Sequence, residues 1–247
     1  MRKPFLAGNW KMNKNISEAC ELAGNLAKNL KDTDMKDILI APPFTALAKV
    51  KETLKGSNIK LGAQNCSYAE SGAYTGEISP AMIIDAGCTH VIIGHSERRQ
   101  FFGDTDEIIN KKIKNAIKNG LIVIFCVGET LEEREKAITF KVIEKQVREG
   151  LKDIELKNIE IAYEPVWAIG TGKTASPAQA EEVHAFIRNL IEKLYNKQLS
   201  ETVRILYGGS VNPENIKELM ACANVDGGLV GGASLKTDSF TQIVKLS

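Results

Sequence analysis

The chain has 247 residues, 43% hydrophobic and 26% charged, with 32 basic and 31 acidic side chains for a net charge of +1. That is enough apolar material for a full core and too much for a disordered chain, and no Pro/Ser/Gly-rich linker divides it, so one domain over 1–247 is expected. So even a balance gives no electrostatic reason to expect nucleic acid or an anionic membrane as partner, no apolar run can span a bilayer, and the apolar stretch in MRKPFLAGNWKMN is too short for a secretion signal.

Taken in chain order, short apolar β-rich runs alternate with polar, helix-like stretches. FLAGNW (5–10) reads as the first strand. Ser17, followed by Ala19, Leu22, Ala23 and Leu26, reads as a helix cap and its apolar stripe. ILIAPP (38–43) and KLGAQN (60–65) are the next strands. After them comes NCSYAESGAYTGEIS (65–79), long for a strand-to-helix loop. Loops of that length in compact domains are functional or disordered, and Tyr68 and Tyr74 argue against disorder. It reads either as an ordered surface loop or as an arm that docks on another subunit. HVIIGHS (90–96) is strand four; Thr105 then opens a helix whose Ile108, Ile109, Ile113 and Ile117 recur about once a turn, with Gly120 at its end. LIVIFCVGE (121–129) and IEIAYEP (159–165) follow. Ser176-Pro177 is a cap with proline at the first helical position, RILYGGS (204–210) is strand seven, Asn212-Pro213 repeats the cap device, and DGGLVGGAS (226–234) is strand eight.

Strands this uniformly apolar are buried on both faces, as in a parallel sheet covered by helices. Eight strand–helix units in this length give the count of an α/β (β/α)8 barrel, eight parallel strands inside a ring of helices. The competitor is a doubly wound open sheet, whose glycine fingerprint belongs after the first strand, where this chain has GNWKMNKN. The barrel is expected.

In such a barrel the site lies where the strands end, so the chemistry is sought there. Strand one ends in Asn9 and Lys11, strand four in His95, Ser96 and Glu97, strand six in Glu164, strand seven in Gly208, Gly209 and Ser210, and strand eight carries Gly231 and Gly232. Glu164 on its own could be a surface carboxylate, but a position between Tyr163 and Pro165 suggests an apolar wall that would raise its pKa towards a base's working range. His95 could be a core histidine or a catalytic one, and the strand-four mouth favours catalysis. Lys11, Asn9 and Ser210 say little singly. Glycines let backbone N–H groups approach a phosphate closely, and GGS and GG stand after strands seven and eight; tight-turn geometry would explain them equally. AIGTGKT (168–174) invites a phosphate-loop reading, but the glycine required five residues before Gly172 is Trp167. A mobile cover over the base fits better, with Pro165-Val166-Trp167 as first hinge, 168–172 as tip and Lys173-Thr174-Ala175 as second hinge. Trp167 would anchor the hinge; Trp10 could be ordinary core.

Five cysteines (Cys20, Cys66, Cys88, Cys126, Cys222), odd in number and without a CxxC, fit reduced thiols in the cytoplasm, and the run around Cys126 suggests packing rather than reactivity. Three histidines, no HExxH and an isolated Cys88–His90 pair argue against a metal.

GNWKMN (8–13), GHSERR (94–99), CVGET (126–130), AYEPVWAIGTGKTA (162–175), YGGSV (207–211) and LVGGASL (229–235) occur in order, each at a strand end, and together the chain resembles the triosephosphate isomerase family from end to end. The resemblance implies a reversible aldose–ketose isomerisation of a small phosphorylated triose, without cofactor or metal. It makes Lys11, His95 and Glu164 the catalytic set with Asn9 and Glu97 in support, and gives Gly170, Ser210, Gly231 and Gly232 the phosphate. It also implies a homodimer in which the strand-three loop brings Thr75 near Asn9 and Lys11 of the partner, and a lid of the kind that family uses. Two other readings stay open: another sugar-phosphate isomerase or aldolase on the same barrel, with Lys11 as the Schiff-base candidate, and a non-catalytic phosphate-binding barrel.

Overall fold

The computed structural model describes residues 2–170 and 174–247. Its eight strands are β1 (Phe5–Asn9), β2 (Asp37–Ala41), β3 (Ile59–Ala63), β4 (His90–Ile93), β5 (Ile122–Val127), β6 (Ile159–Tyr163), β7 (Ile205–Tyr207) and β8 (Gly227–Val230). Each pairs in parallel with the next, and β8 pairs with β1, closing the barrel in strand order. The expected (β/α)8 architecture is therefore present, and the open-sheet alternative is excluded. The helices are α1 (Ile16–Asn29), α2 (Leu47–Thr53), α3 (Pro80–Asp85), α4 (Ser96–Phe102), α5 (Asp106–Lys118) and α6 (Leu131–Glu135). They continue as α7 (Thr139–Gly150), α8 (Pro177–Leu194), α9 (Lys197–Thr202), α10 (Ile216–Met220) and α11 (Thr237–Leu246). Among the described residues no helix is long and apolar enough to cross a membrane.

Two helix starts differ from the sequence reading. The cap of α1 is Asn15, whose side chain accepts from Glu18 N–H while Glu18 reaches back to the Asn15 N–H. Asn15 wins over Ser17 because only it has a glutamate three residues on to complete the reciprocal pair. Asn212 caps only a turn: its Oδ1 accepts from the N–H groups of Glu214 and Asn215, and α10 starts at Ile216. Thr105 and Ser176 cap α5 and α8 as expected, Pro177 takes the first position of α8, and Gly120 closes α5 with φ +86°.

The strands read as continuous apolar runs because both faces are covered. One face packs on the helices; the other fills the barrel with Phe5, Ala7, Leu39, Ile92, Ile124, Ala162, Leu206 and Leu229. Two residues before four of these, on the same inward face, stand Asp37, His90, Glu160 and Arg204. They form an ionic floor at the N-terminal end of the strands. Arg204 donates to Asp37 and Glu160, both at 2.6 Å, and its guanidinium lies 4.5 Å from the Phe5 ring centre. Burial works against a charged Asp37, but Arg204 and Lys3 outweigh it and bring its pKa down to about 2.

His90 sits in this floor with its ring 5.6 Å from Phe5, Nδ1 2.7 Å from the Thr89 hydroxyl and Nε2 without a partner. Burial, with Lys60 and Arg204 nearby, lowers its pKa to about 3. A base with a depressed folded pKa gives up stability on acidification, because the unfolded chain takes a proton that the folded one refuses. The contribution is whole above the unfolded value near 6.5 and is lost progressively as pH falls towards 3. At pH 5 this one ring should remove about 2 kcal/mol. Thermal melts from pH 7 to pH 5 should therefore fall less steeply in His90→Phe than in the native chain.

Candidate active site

The strand ends seen in the sequence reach to or past the ends of the regular strands, and they carry the candidate functional side chains. Asn9 is the last residue of β1, and its buried Oδ1 accepts from Lys11 N–H at 3.1 Å. Lys11 follows in the left-handed region, φ +52°, a conformation unusual for a lysine. Gln64, just past β3, holds it there by donating to Lys11 O at 2.9 Å and Ala41 O at 2.8 Å. Lys11 Nζ then donates to Glu97 Oε1 at 2.6 Å.

His95 is the cap residue of α4. Its Nδ1 accepts from Glu97 N–H at 3.2 Å, so that nitrogen is unprotonated and the ring proton sits on Nε2. Nε2 lies 2.9 Å from Glu164 Oε1, close but not aligned as a linear hydrogen bond, since Oε1 has no hydrogen-bond partner. Glu164 Oε2 accepts from Ser96 N–H at 2.9 Å. Glu164 is 1% exposed, so burial alone would lift its pKa, as the sequence reading expects. The structure reverses that expectation. His95 and the Ser96 N–H outweigh burial and hold the Glu164 carboxyl below its ordinary value, while Glu164 in turn raises His95 against its own burial.

These groups meet in a cavity of about 290 Å³. Asn9, Lys11, His95 and Glu164 line it together with Gly170, Ser210, Gly231 and Gly232. Glu97 stands behind Lys11 and does not line it; Thr75 lies on the exposed tip of the strand-three loop, away from it. A larger groove of about 860 Å³, between the C-terminal ends of α7 and α8, holds none of these residues.

The glycines divide by role. Neither Gly208 nor Gly209 has positive φ, so tight-turn geometry does not account for them. A Cβ at Gly208 would stand 2.8 Å from Glu164 Cγ, and one at Gly209 would run into the Tyr207 hydroxyl and come to 3.0 Å from Pro165 Cγ. They make room for the carboxylate and its hinge. At Gly232 a Cβ would meet nothing within 4 Å: that side of the cavity is open space over backbone.

Of the lid, residues up to Gly170 are described, and Thr171, Gly172 and Lys173 lie outside the described residues. The first hinge is a 3-10 turn, Val166–Ala168, and Trp167 Nε1 donates to Glu129 Oε1 at 3.0 Å, which makes Trp167 an anchored residue. Trp10 is fully buried core. Burial also raises the Cys126 thiol well above its usual pKa, in keeping with a packing role.

Three supports were not read from the sequence: Gln64, Glu129 and Gly128. A Cβ at Gly128 would lie 1.8 Å from Glu164 O. Gly128 and Glu129 belong to the quoted CVGET motif, so their signal was present without a geometry to interpret it. Among the described residues no group of three or more metal-ligating side chains is found.

Comparison with known proteins agrees with this arrangement. Residues 4–247 match the family model described as triosephosphate isomerase. The chain is 58% identical to the triosephosphate isomerase of Geotalea uraniireducens over the whole of both chains. It is 59% identical to that of Carboxydothermus hydrogenoformans over 99% of each. The crystal structure of triosephosphate isomerase from Bartonella henselae superposes with a TM-score of 0.91 at 42% identity, covering 99% of this chain and 98% of that one. With the closed barrel, the converging carboxylate, imidazole and ammonium, and a sequence match along its length, the chain belongs to the triosephosphate isomerase family.

Proposed function

We propose that this chain, an isomerase by its family, interconverts dihydroxyacetone phosphate and D-glyceraldehyde 3-phosphate, a step of glycolysis and gluconeogenesis in the cytoplasm, with Glu164 as base, His95 as electrophile and Lys11 as fixed positive charge. The observation that carries this reading is the convergence of those three side chains on one small cavity that Gly170, Gly231 and Gly232 also line.

Glu164 takes a proton from the carbon beside the carbonyl. The electron pair left behind moves into the carbonyl, and the growing charge on oxygen is met by the Nε2–H of His95. His95 passes its Nε2 proton to that oxygen and takes up the proton of the neighbouring hydroxyl, whose carbon becomes the new carbonyl, while Glu164 returns the first proton to the former carbonyl carbon, so nothing is gained or lost overall. Glu164 is ionised at rest because His95 and Ser96 N–H hold its pKa down. Substrate entering between carboxylate and imidazole removes the interaction that raises His95. Burial, Lys11 and the N–H of Glu97 on Nδ1 then favour the neutral ring against the remaining pull of the Glu97 carboxylate, and the neutral ring donates without first losing a charge. Asn9 and Glu97 orient Lys11. Preorganised donors of this kind lower a barrier by about 3–4 kcal/mol each, and a placed base contributes about 10²–10⁴-fold. No cofactor is required. The phosphate would lie against Gly170, Ser210, Gly231 and Gly232, where backbone N–H groups face open space.

Against the aldolase reading, Lys11 Nζ is ion-paired with Glu97 at 2.6 Å, and a Schiff-base nucleophile needs a free amine. The dimer rests on an exposed but ordered loop. Its root is tied by Ser67 N–H to Ile78 O at 2.8 Å, and Tyr68 and Tyr74 meet edge to face, 5.8 Å apart. Met12, Tyr74, Met82, Phe101 and Phe102 are large apolar side chains left exposed, which a partner would cover.

Glu164→Gln should bind phosphate-bearing ligands normally and lose about 10²–10⁴-fold in kcat for glyceraldehyde 3-phosphate; a native chain with no turnover would sink the assignment. Deletion of 169–173 should raise phosphate elimination relative to isomerisation, because water and free rotation then reach the enediolate; unchanged partitioning would remove the lid's role. Sedimentation at micromolar concentration should give twice the 27.0 kDa chain mass. A monomer there would refute the arm.

A further inference from the structure

Glu164 is held by the chain beside it. Beyond the regular part of β5 and β6 the ladder continues: Glu164 N–H donates to Val127 O at 2.8 Å, and Val166 N–H to Glu129 O at 3.0 Å. The residue between, Gly128, directs its own N–H and C=O away from β6, to the side where β4 would pair. But β4 ends at Ile93 and the chain there turns into α4, so no strand remains to receive them. Both groups are taken by one side chain. Gly128 N–H donates to Gln146 Oε1 at 2.8 Å, and Gln146 Nε2 donates to Gly128 O at 3.0 Å. A primary amide has the donor and acceptor of a peptide group, so Gln146 acts as a one-residue strand.

The reach follows from the packing of α7 on β5. Gly150 lies against the Phe125 ring, where a Cβ would be 2.4 Å from Cζ, so the helix sits close to the strand. Gln146 is one turn back, about 6 Å up the helix axis, and Gly128 is three residues on, about 10 Å up the strand. A long side chain makes up the difference; asparagine falls one methylene short. The pair stands in the wall of a cavity of about 710 Å³ that also touches Glu164 and Trp167, so water competes for the backbone groups of Gly128 if the amide is removed.

We infer that Gln146 is a positioning residue: by pairing with Gly128 it fixes the segment that seats both the Glu164 backbone and the first hinge of the lid. This rests on the isomerase reading of the site. Gln146 does not touch the substrate cavity, so its loss should act on the chemical step and leave phosphate binding alone.

The test compares native chain, Gln146→Leu and Gln146→Glu. In Gln146→Leu, kcat should fall by at least about tenfold, with KM and inhibition by inorganic phosphate within about twofold of native. In Gln146→Glu the carboxylate accepts from Gly128 N–H but offers nothing to Gly128 O until it is protonated. Its deficit relative to native should therefore narrow as pH falls from 8 to 6. Amide hydrogen exchange at Gly128 should be slow in the native chain and faster in Gln146→Leu, and this reads the clamp even if the native chain fails to turn over the triose phosphate. Folded Gln146→Leu with native kcat, an equal loss of phosphate affinity, a pH-independent deficit in Gln146→Glu, or unchanged exchange at Gly128 would each overturn the inference.

Discussion

The backbone hydrogen bond from Glu164 N–H to Val127 O sets where the carboxylate stands, and much of the surrounding structure exists to keep it. It extends the β5–β6 ladder by one step beyond the barrel wall. Gly128 must then be glycine, since its neighbour is the Glu164 carbonyl, and Gly208 must be glycine, since its neighbour is Glu164 Cγ. The next step of the same ladder seats Val166, and the Glu129 side chain takes the Trp167 indole. Glu164 and the Val166–Ala168 turn thus share one hydrogen-bonded rail. Their relative placement is fixed by backbone geometry, with no rotamer search needed to recover it.

The charges in the site are arranged by the same economy of parts. One short helix, α4, supplies three separate controls. Ser96 N–H holds a Glu164 oxygen, Glu97 N–H fixes the His95 tautomer, and the Glu97 carboxylate anchors Lys11. The strand next to β4 supplies Gln64, just past the end of β3, which holds the left-handed Lys11 backbone in place. Strain at Lys11 is kept because two elements over-determine it.

The fold was legible because each strand is apolar throughout and each helix has a period, and because caps such as Thr105 and Ser176-Pro177 punctuate them. The candidate site was legible because barrel strands point their last residues at one rim, so listing strand ends picked out Asn9, Lys11, His95 and Glu164, which line one cavity, without knowing any distance. What could not be read was the balance of opposing effects. The apolar surroundings of Glu164 are visible in IEIAYEP, but the imidazole that reverses their effect on its pKa comes from 69 residues away. Gln146 and Gln64 are polar residues on a helix and past a strand, and nothing in their neighbours distinguishes them from solvated surface. Their partners are backbone atoms, which carry no sequence signal. The α1 start was misplaced for a simpler reason: Ser17 and Asn15 are both good caps, and only the glutamate at 18 decides between them.

The ionic floor of Arg204, Asp37, Glu160 and His90 has a consequence for how this chain can change over time. The floor lies at one end of the barrel and the proposed site at the other, and a layer of apolar side chains separates them, from Leu39 and Ile92 to Leu206 and Leu229. Groups that far apart with no shared partners combine additively. A lineage moving to acid or heat can rebuild the floor residue by residue while catalysis stays as it was, and one acquiring a different substrate can rework the rim loops without first re-solving how to fold.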